Sequence, residues 1–163
     1  MGNLLFSPSG RINSGDFMKG AIILTVIGVV LSMLQALAPA LGLLHLVIFW
    51  CWIAIWVKRY HDGGKSGWMC LIPIIVYLVL SVIVLVALLG GEITTLIELA
   101  NSGASPEEQQ AVSEELMKGK TISVMVASVA VTLGIAFLFN KMIKGDPGDN
   151  QFGPNPITAE VFN

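Results

Sequence analysis

The sequence has 163 residues, of which 55% are hydrophobic and only 12% are charged. That charged share is about half of what soluble domains carry, and a soluble domain of this size leaves roughly a third of its surface in water. The composition therefore excludes a water-soluble fold. Its two cysteines are too few for a disulfide framework, and we expect them to be free thiols.

Four apolar runs follow one another along the chain and contain no Asp, Glu, Lys or Arg: residues 20–38, 41–57, 68–89 and 121–139. The first would be about 28 Å long as a helix, close to the hydrocarbon thickness of a bilayer. Asn13-Ser14-Gly15-Asp16 is predicted to cap this helix, and Pro39 to end it. We predict an all-α membrane protein with four transmembrane helices, forming a single integral domain over residues 1–163 with a cytoplasmic tail from residue 140.

The segment of residues 92–120 is polar and acidic, unlike the rest of the chain. Gly90-Gly91 is expected to end the third helix, and two short amphipathic helices are expected to follow at the membrane surface. The second is predicted to start at Ser105-Pro106-Glu107-Glu108, which offers a cap residue, a first-position proline and a capping-box glutamate. An ion pair between Glu114 and Lys118, four residues apart, should support it.

Lysine and arginine are distributed unevenly over the loops. With four spans, both termini and the loop between the second and third runs share one side of the membrane. That side holds seven cations (Arg11, Lys19, Lys58, Arg59, Lys65, Lys141 and Lys144), and the other side holds Lys118 and Lys120. The positive-inside rule therefore predicts that both termini are cytoplasmic. The same cations are expected to meet anionic lipid at that face.

Residues 58–68, which we call the hinge, form a basic, glycine-rich loop flanked by aromatic residues typical of a membrane boundary. Gly64-Lys65-Ser66 matches the end of a phosphate-binding loop, but Arg59 stands where that pattern needs a glycine, so nucleotide binding is not expected. His61-Asp62 is compatible with an acid–base pair acting on lipid headgroups. A structural histidine in a turn is the favoured interpretation.

Other candidate sites are few. His45 is an ionisable residue within a span, which makes it a hypothesis for proton movement. However, it follows the Pro39 turn closely, where a neutral histidine at the interface is ordinary. Ala130 and Gly134 form a small-xxx-small pair that would let another helix approach closely. We expect no catalytic residue, cofactor or metal site and no nucleic-acid partner.

Three separated motifs resemble those of one protein family. Residues 6–12 resemble its N-terminal phenylalanine and Gly-Arg-Ile signature, here with Gly10 and Arg11. Residues 59–68 resemble its central motif through Arg59, His61, Asp62, Gly64, Ser66, Gly67 and Trp68. Residues 145–156 resemble its C-terminal motif through Gly148, Asn150, Gly153 and Pro156. The family is domain of unknown function 805, the YhaH-like bacterial inner-membrane proteins.

The resemblance implies a small bacterial inner-membrane protein without an established activity. The chain departs from the family pattern at Lys58, where a second arginine is frequent, and in its long acidic segment. Because all three motifs fall on the predicted cytoplasmic side, we expect them to form one substructure. Arg59 is its expected anchor, binding Asp62, Asp146 or Asp149. Reversing the charge of Arg59 should then destabilise the protein, and reversing Asp149 as well should partly restore its stability.

The sequence is compatible with three functions, of which the first is favoured. The first is a non-enzymatic membrane protein that assembles with itself or with other membrane proteins. The second is a small oligomeric transporter or channel, although spans without acidic or basic residues argue against ion coupling. The third is a lipid-headgroup enzyme that uses His61 and Asp62.

Overall fold

The computed structural model of the protein describes residues 2–35 and 37–157. Within these residues the chain forms six α-helices and no β-strand: α1 (Gly2–Leu5), α2 (Ser14–Gln35), α3 (Leu44–Asp62), α4 (Leu71–Asn101), α5 (Pro106–Met117) and α6 (Thr121–Met142). Four helical segments are long and apolar enough to cross a membrane: Ser14–Gln35, Pro39–Asp62, Gly67–Asn101 and Thr121–Met142. The all-α class and the four spanning-length helices predicted from the sequence are thus confirmed.

The two ends of α2 follow their local chemistry. Asn13 caps the helix, because its Oδ1 accepts the Asp16 N–H at 2.8 Å while its amide donates to the Asp16 carboxylate at 2.7 Å. After the helix ends at Gln35, a 3₁₀ turn over Pro39–Leu43 leads into α3. His45, at the start of α3, contacts Ser32 Oγ at 3.3 Å and the Gly42 carbonyl at 3.2 Å.

Helix α4 is longer than the sequence predicted. Gly90-Gly91 does not end it, and the first of the two short helices expected after that pair is instead the last part of α4, which reaches Asn101. The hydroxyl groups of Thr94 and Thr95 donate to the carbonyls of Gly90 and Gly91, at 2.9 and 3.1 Å. These bonds run within the one continuous helix that crosses the glycine pair.

Helix α5 has the predicted N-terminus. The Glu108 N–H donates to Ser105 Oγ, and the Glu108 carboxylate accepts the Ser105 N–H at 2.9 Å, which completes a capping box. The predicted Glu114–Lys118 pair is wrong. Lys118 lies 3.7 Å from Glu115 instead, and Glu114 accepts from Gln110. All of these side chains are exposed, so the choice of partner has little energetic weight.

The contacts of the chain define two units: Met1–Val76 with Thr132–Asn163, and Tyr77–Val131. We call the first the motif unit, because it holds all three family motifs. Its buried core contains Ile12, Phe17, Ile55 and Trp56, and the rings of Phe17 and Trp56 are 4.6 Å apart. In the second unit, Lys120 pairs with Glu92 at 2.9 Å and donates to the Leu88 carbonyl.

Candidate functional site

The centre of the motif unit is a buried carboxylate shared by two arginines. Asp62, the last residue of α3, accepts from Arg11 at its Oδ1 at 3.1 Å and from Arg59 at its Oδ2 at 2.6 Å. The side chains of Arg11, Arg59 and Asp62 are only 1%, 2% and 6% exposed. We call these three residues the latch.

Arg59 joins the end of α3 to the end of α6. It lies one helical turn before Asp62, a spacing that puts both side chains on one face of α3. Its Nε donates to Asn140 Oδ1 at 2.5 Å, and its Nη2 donates to the main-chain carbonyls of Asn140 and Ile143. A cation at a helix C-terminus is favourable because the last carbonyls lack partners within the helix.

Arg11 joins the N-terminal segment to the tail. Its Nη1 donates to the Gly148 carbonyl at 2.6 Å and to the Gly153 carbonyl at 3.3 Å. Its Nη2 donates to the Asp146 carbonyl at 2.7 Å. The planar guanidinium, with five N–H donors in a fixed fork, can hold several carbonyls of one loop together with a carboxylate.

The electrostatics of the latch follow from this arrangement. Two positive charges and one negative charge are buried together, which carries a large desolvation penalty unless hydrogen bonds satisfy the groups. The carbonyl oxygens of residues 140, 143, 146, 148 and 153 supply negative partial charge around the excess positive one. Within the described part of the chain, no buried side-chain nitrogen or oxygen lacks a partner.

His61 is held by the same three segments. Its Nδ1 lies 3.1 Å from the Gly10 carbonyl, and its ring stacks on Phe152 with the centroids 3.8 Å apart and the planes 3° from parallel. The Asn150 amide donates to the main-chain carbonyl of His61 at 3.0 Å. The histidine therefore packs as part of the interface between hinge and tail.

Glycines permit the close approach of hinge and tail. A Cβ on Gly145 would lie 2.6 Å from Asp62 Oδ2, and one on Gly63 would lie 2.9 Å from a side-chain carbon of Ile143. A Cβ on Gly67 would lie 2.8 Å from Val57 and 3.0 Å from the ring of His61. Gly64 adopts a φ of +67°, a conformation that favours glycine. The glycines of the central motif thus have steric roles.

The tail folds on itself through side-chain bonds to its own backbone. Asn150 and Gly153 exchange main-chain hydrogen bonds, and Asn155 donates from its main chain to the Asp149 carboxylate at 2.9 Å and from its amide to the Pro147 carbonyl. Pro156 is buried at its end. Between residues 144 and 157 the tail has no helix or strand, yet it has a defined shape.

The structure brings together most of the residues singled out from the sequence, but not all. Of the three acids considered for Arg59, only Asp62 binds it. The Asp149 carboxylate accepts from the Asn155 main chain, and the Asp146 carboxylate accepts from the Gly148 main chain. Ser66 and Trp68 of the central motif are exposed, and so are Ala130 and Gly134 on α6. If Gly134 carried a Cβ, no described atom would lie within 4 Å of it apart from its chain neighbours and the backbone of its own helix.

The sequence did not reveal the structural roles of two residues, Asn140 and Lys58. Asn140 bridges Arg59 to Ser14 at the start of α2, donating from its amide to both the carbonyl and the hydroxyl of Ser14. The signal for it was an amide at the end of an otherwise apolar run. Lys58 donates to the Leu4 carbonyl near the end of α1, so this departure from the family pattern has a structural role.

The latch offers little for a metal ion. In residues 2–35 and 37–157, no group of three or more His, Cys, Asp or Glu side chains is placed to hold one. Asp62 is already neutralised by two guanidinium groups. The arrangement is suited to holding chain segments together.

Fold and site together define a multi-pass membrane protein: four helices of spanning length, with a polar latch joining the N-terminal segment, the hinge and the tail. The chain belongs to the family of proteins of unknown function DUF805, whose family model matches residues 5–154. This match confirms the resemblance seen in the three motifs. Comparison with curated proteins and with solved structures gave no match.

Proposed function

We propose that this protein is a non-enzymatic assembly protein of the bacterial inner membrane, with both termini in the cytoplasm. In this proposal the latch fixes the shape of the cytoplasmic end, and the exposed helix surfaces contact another copy of the chain or other membrane proteins. The main observation in its support is that the arginine N–H groups of the latch are occupied by acceptors within the protein. Each nitrogen of the Arg11 and Arg59 guanidinium groups donates to a protein acceptor.

That use of donors favours a structural role over a catalytic one. A guanidinium that binds a substrate phosphate needs N–H groups directed at the substrate. Those of Arg11 and Arg59 are directed at Asp62, Asn140 and main-chain carbonyls. His61, the acid–base candidate, likewise contacts Gly10 and Phe152.

Contacts between motifs support the proposed topology. Arg11 contacts both Asp62 and the Gly148 carbonyl directly, so the segments that contain these three residues must lie on the same side of any bilayer. With the excess of lysine and arginine at these segments, the positive-inside rule favours the cytoplasm. The test is cysteine labelling of intact and permeabilised cells: Ser66→Cys should react only after permeabilisation, and Ser102→Cys before it. Labelling of Ser66→Cys in intact cells would show that the topology is the opposite of the proposed one.

The proposed assembly surface is the exposed small-residue face of α6, where Ala130 and Gly134 would let a second helix approach. Oxidative cross-linking in native membranes tests it. Ala130→Cys should give a dimer, whereas the control Ala136→Cys, on the same helix but fully buried, should not. A photo-reactive amino acid in place of the exposed Val126 tests assembly with a different membrane protein, to which it should cross-link. If neither position gives a cross-linked product, the assembly role is wrong.

A further inference from the structure

The nine basic residues of the chain fall into distinct groups. Five have a carboxylate partner in the structure: Arg11, Lys19, Arg59, Lys118 and Lys120. Lys58 donates to the Leu4 carbonyl. Over the described residues, Lys65, Lys141 and Lys144 have no carboxylate within ion-pair distance, and all three are exposed. Their charges are available to an external anion.

These three lysines belong to adjoining parts of the motif unit. Lys65 follows Gly64 in the hinge, and a Cβ on the neighbouring Gly63 would lie 3.1 Å from the Lys144 carbonyl. Lys141 is in the last turn of α6, three residues before Lys144. The contact between the hinge and the end of α6 therefore brings the backbones that carry these lysines together.

Large apolar side chains are exposed beside the lysines. Trp68, three residues after Lys65, is 80% exposed, and Met142, next to Lys141, is 69% exposed. The Lys141 ammonium also lies over the exposed ring of Phe137, 5.6 Å from its centroid. Exposed tryptophan next to lysine is typical of the boundary between hydrocarbon and headgroups, where the ring lies at headgroup level and the ammonium reaches phosphate.

We propose that Lys65, Lys141 and Lys144, together with Trp68, form a docking surface for anionic phospholipid headgroups. The partner is a lipid because the cations adjoin exposed apolar side chains, which a soluble anion would leave in water. The inference rests on the proposed function, which puts this end of the motif unit at the cytoplasmic face. Each lysine near an anionic membrane contributes roughly a fivefold gain in affinity, or about 100-fold for three if their effects are additive.

The test measures the melting temperature of the purified full chain in a neutral detergent as lipid is added. Phosphatidylglycerol should raise it, whereas phosphatidylcholine with the same acyl chains and inorganic phosphate should not. In Lys65→Gln/Lys141→Gln/Lys144→Gln, the apparent affinity for phosphatidylglycerol should fall by about 100-fold. The control Lys19→Gln removes an exposed lysine of the same unit that is paired with Asp16, and it should keep the wild-type affinity.

Several outcomes would overturn the inference. If phosphatidylglycerol and phosphatidylcholine raised the melting temperature equally, the negative charge of the headgroup would not matter. If inorganic phosphate raised it as well, the ligand would be a free anion and not a lipid. Unchanged affinity in the triple variant would rule out these lysines. Should the triple variant fail to fold, Lys65→Gln alone must show a loss of about fivefold. Cross-linking at Ala130→Cys does not depend on this lipid. If cross-linking occurs but phosphatidylglycerol has no effect, the lipid inference is wrong; if the reverse is seen, the assembly proposal is wrong.

Discussion

Arg11 donates two hydrogen bonds to one carboxylate oxygen of Asp62, at 3.1 and 3.3 Å, although 51 positions separate the two residues in the chain. Asp62 in turn binds Arg59 through its other oxygen at 2.6 Å. One carboxylate thus ties the N-terminal segment to the hinge, and the arginines extend the connection to the end of α6 and to the tail. Disturbing any member should loosen segments that are distant in sequence.

Arg59→Ala should lower the free energy of unfolding by about 1–3 kcal/mol for each buried acceptor that loses its donor, while Asp62 keeps its ion pair with Arg11. The substitution also leaves the Asn140 side chain and the Ile143 carbonyl without their donor. Unfolding in mixed micelles of neutral detergent and dodecyl sulfate measures the change. Lys65→Ala, at an exposed hinge position, should change stability by less than about 0.5 kcal/mol. Equal effects of the two substitutions would show that the latch is not a stabilising element.

Arg59→Glu should be at least as destabilising, and adding Asp149→Lys should restore nothing. Asp149 accepts from the Asn155 main chain and makes no contact with Arg59 in the described structure. The same unfolding measurement compares the single and double variants. Recovery of stability in the double variant would mean that Arg59 and Asp149 pair in the membrane-bound protein.

Gly145→Ala should destabilise the protein by about 1–3 kcal/mol, the range for forced overpacking. Its Cβ would lie 2.6 Å from the Asp62 carboxylate that both arginines hold in place. Gly148→Ala is the matched control in the same loop, because no atom outside its neighbours lies within 4 Å of the added carbon. Melting temperatures of the two variants should therefore differ, and equal melting would contradict the close packing of tail and hinge.

Arg11→Ala should release the tail without unfolding the helices. The carbonyls of Asp146 and Gly148 lose the Arg11 donor in this variant, and the Gly153 carbonyl keeps only the Asn150 N–H. Hydrogen–deuterium exchange followed by mass spectrometry should show faster exchange in residues 144–157 and unchanged exchange in the centre of α3. Lys19→Ala removes a largely exposed cation and should leave the tail protected. Unchanged tail exchange in Arg11→Ala would mean that the tail folds without the arginine.

Ser105→Ala should weaken helix α5 by about 1 kcal/mol, because the substitution removes one half of the capping box. Ser113→Ala, in the interior of the same helix, should not weaken it, since alanine is the better helix former there. Exchange of the main-chain amides of α5 reports both effects. Equal exchange in the two variants would show that the cap does not hold this helix.

The sequence was sufficient for the features that depend on local chemistry. Uncharged apolar runs predicted four spanning helices, Asn13 and Ser105 predicted two helix starts, and the three motifs predicted one substructure. The first two rest on composition or on residues within one helical turn of each other, and the third on the side of the membrane that the lysine and arginine distribution predicts. Gly90-Gly91 misled because the intrinsic preference of two glycines against helix is small beside an apolar run with helical neighbours on both sides.

The pairing inside the latch was beyond the sequence. Three acids were candidates for Arg59, and no local rule separates Asp62 from Asp146 or Asp149. The bonds from Arg11 go largely to main-chain carbonyls, which every residue has, so no residue type marks them. Asn140 can bind Arg59 only because the end of α6 lies beside the end of α3. Such information lies in how separate helices meet.

The latch also has a consequence for synthesis, because it can close only after the tail has been made. Arg11 leaves the ribosome 142 residues before Gly153, the last of its carbonyl partners. A nascent chain can insert its helices one after another, but Arg11 must stay hydrated until the tail has been synthesised, because the carbonyls that complete its shell do not yet exist. Closing the latch therefore waits for the segment of residues 146–153, and a chain stalled before residue 146 would leave this end open.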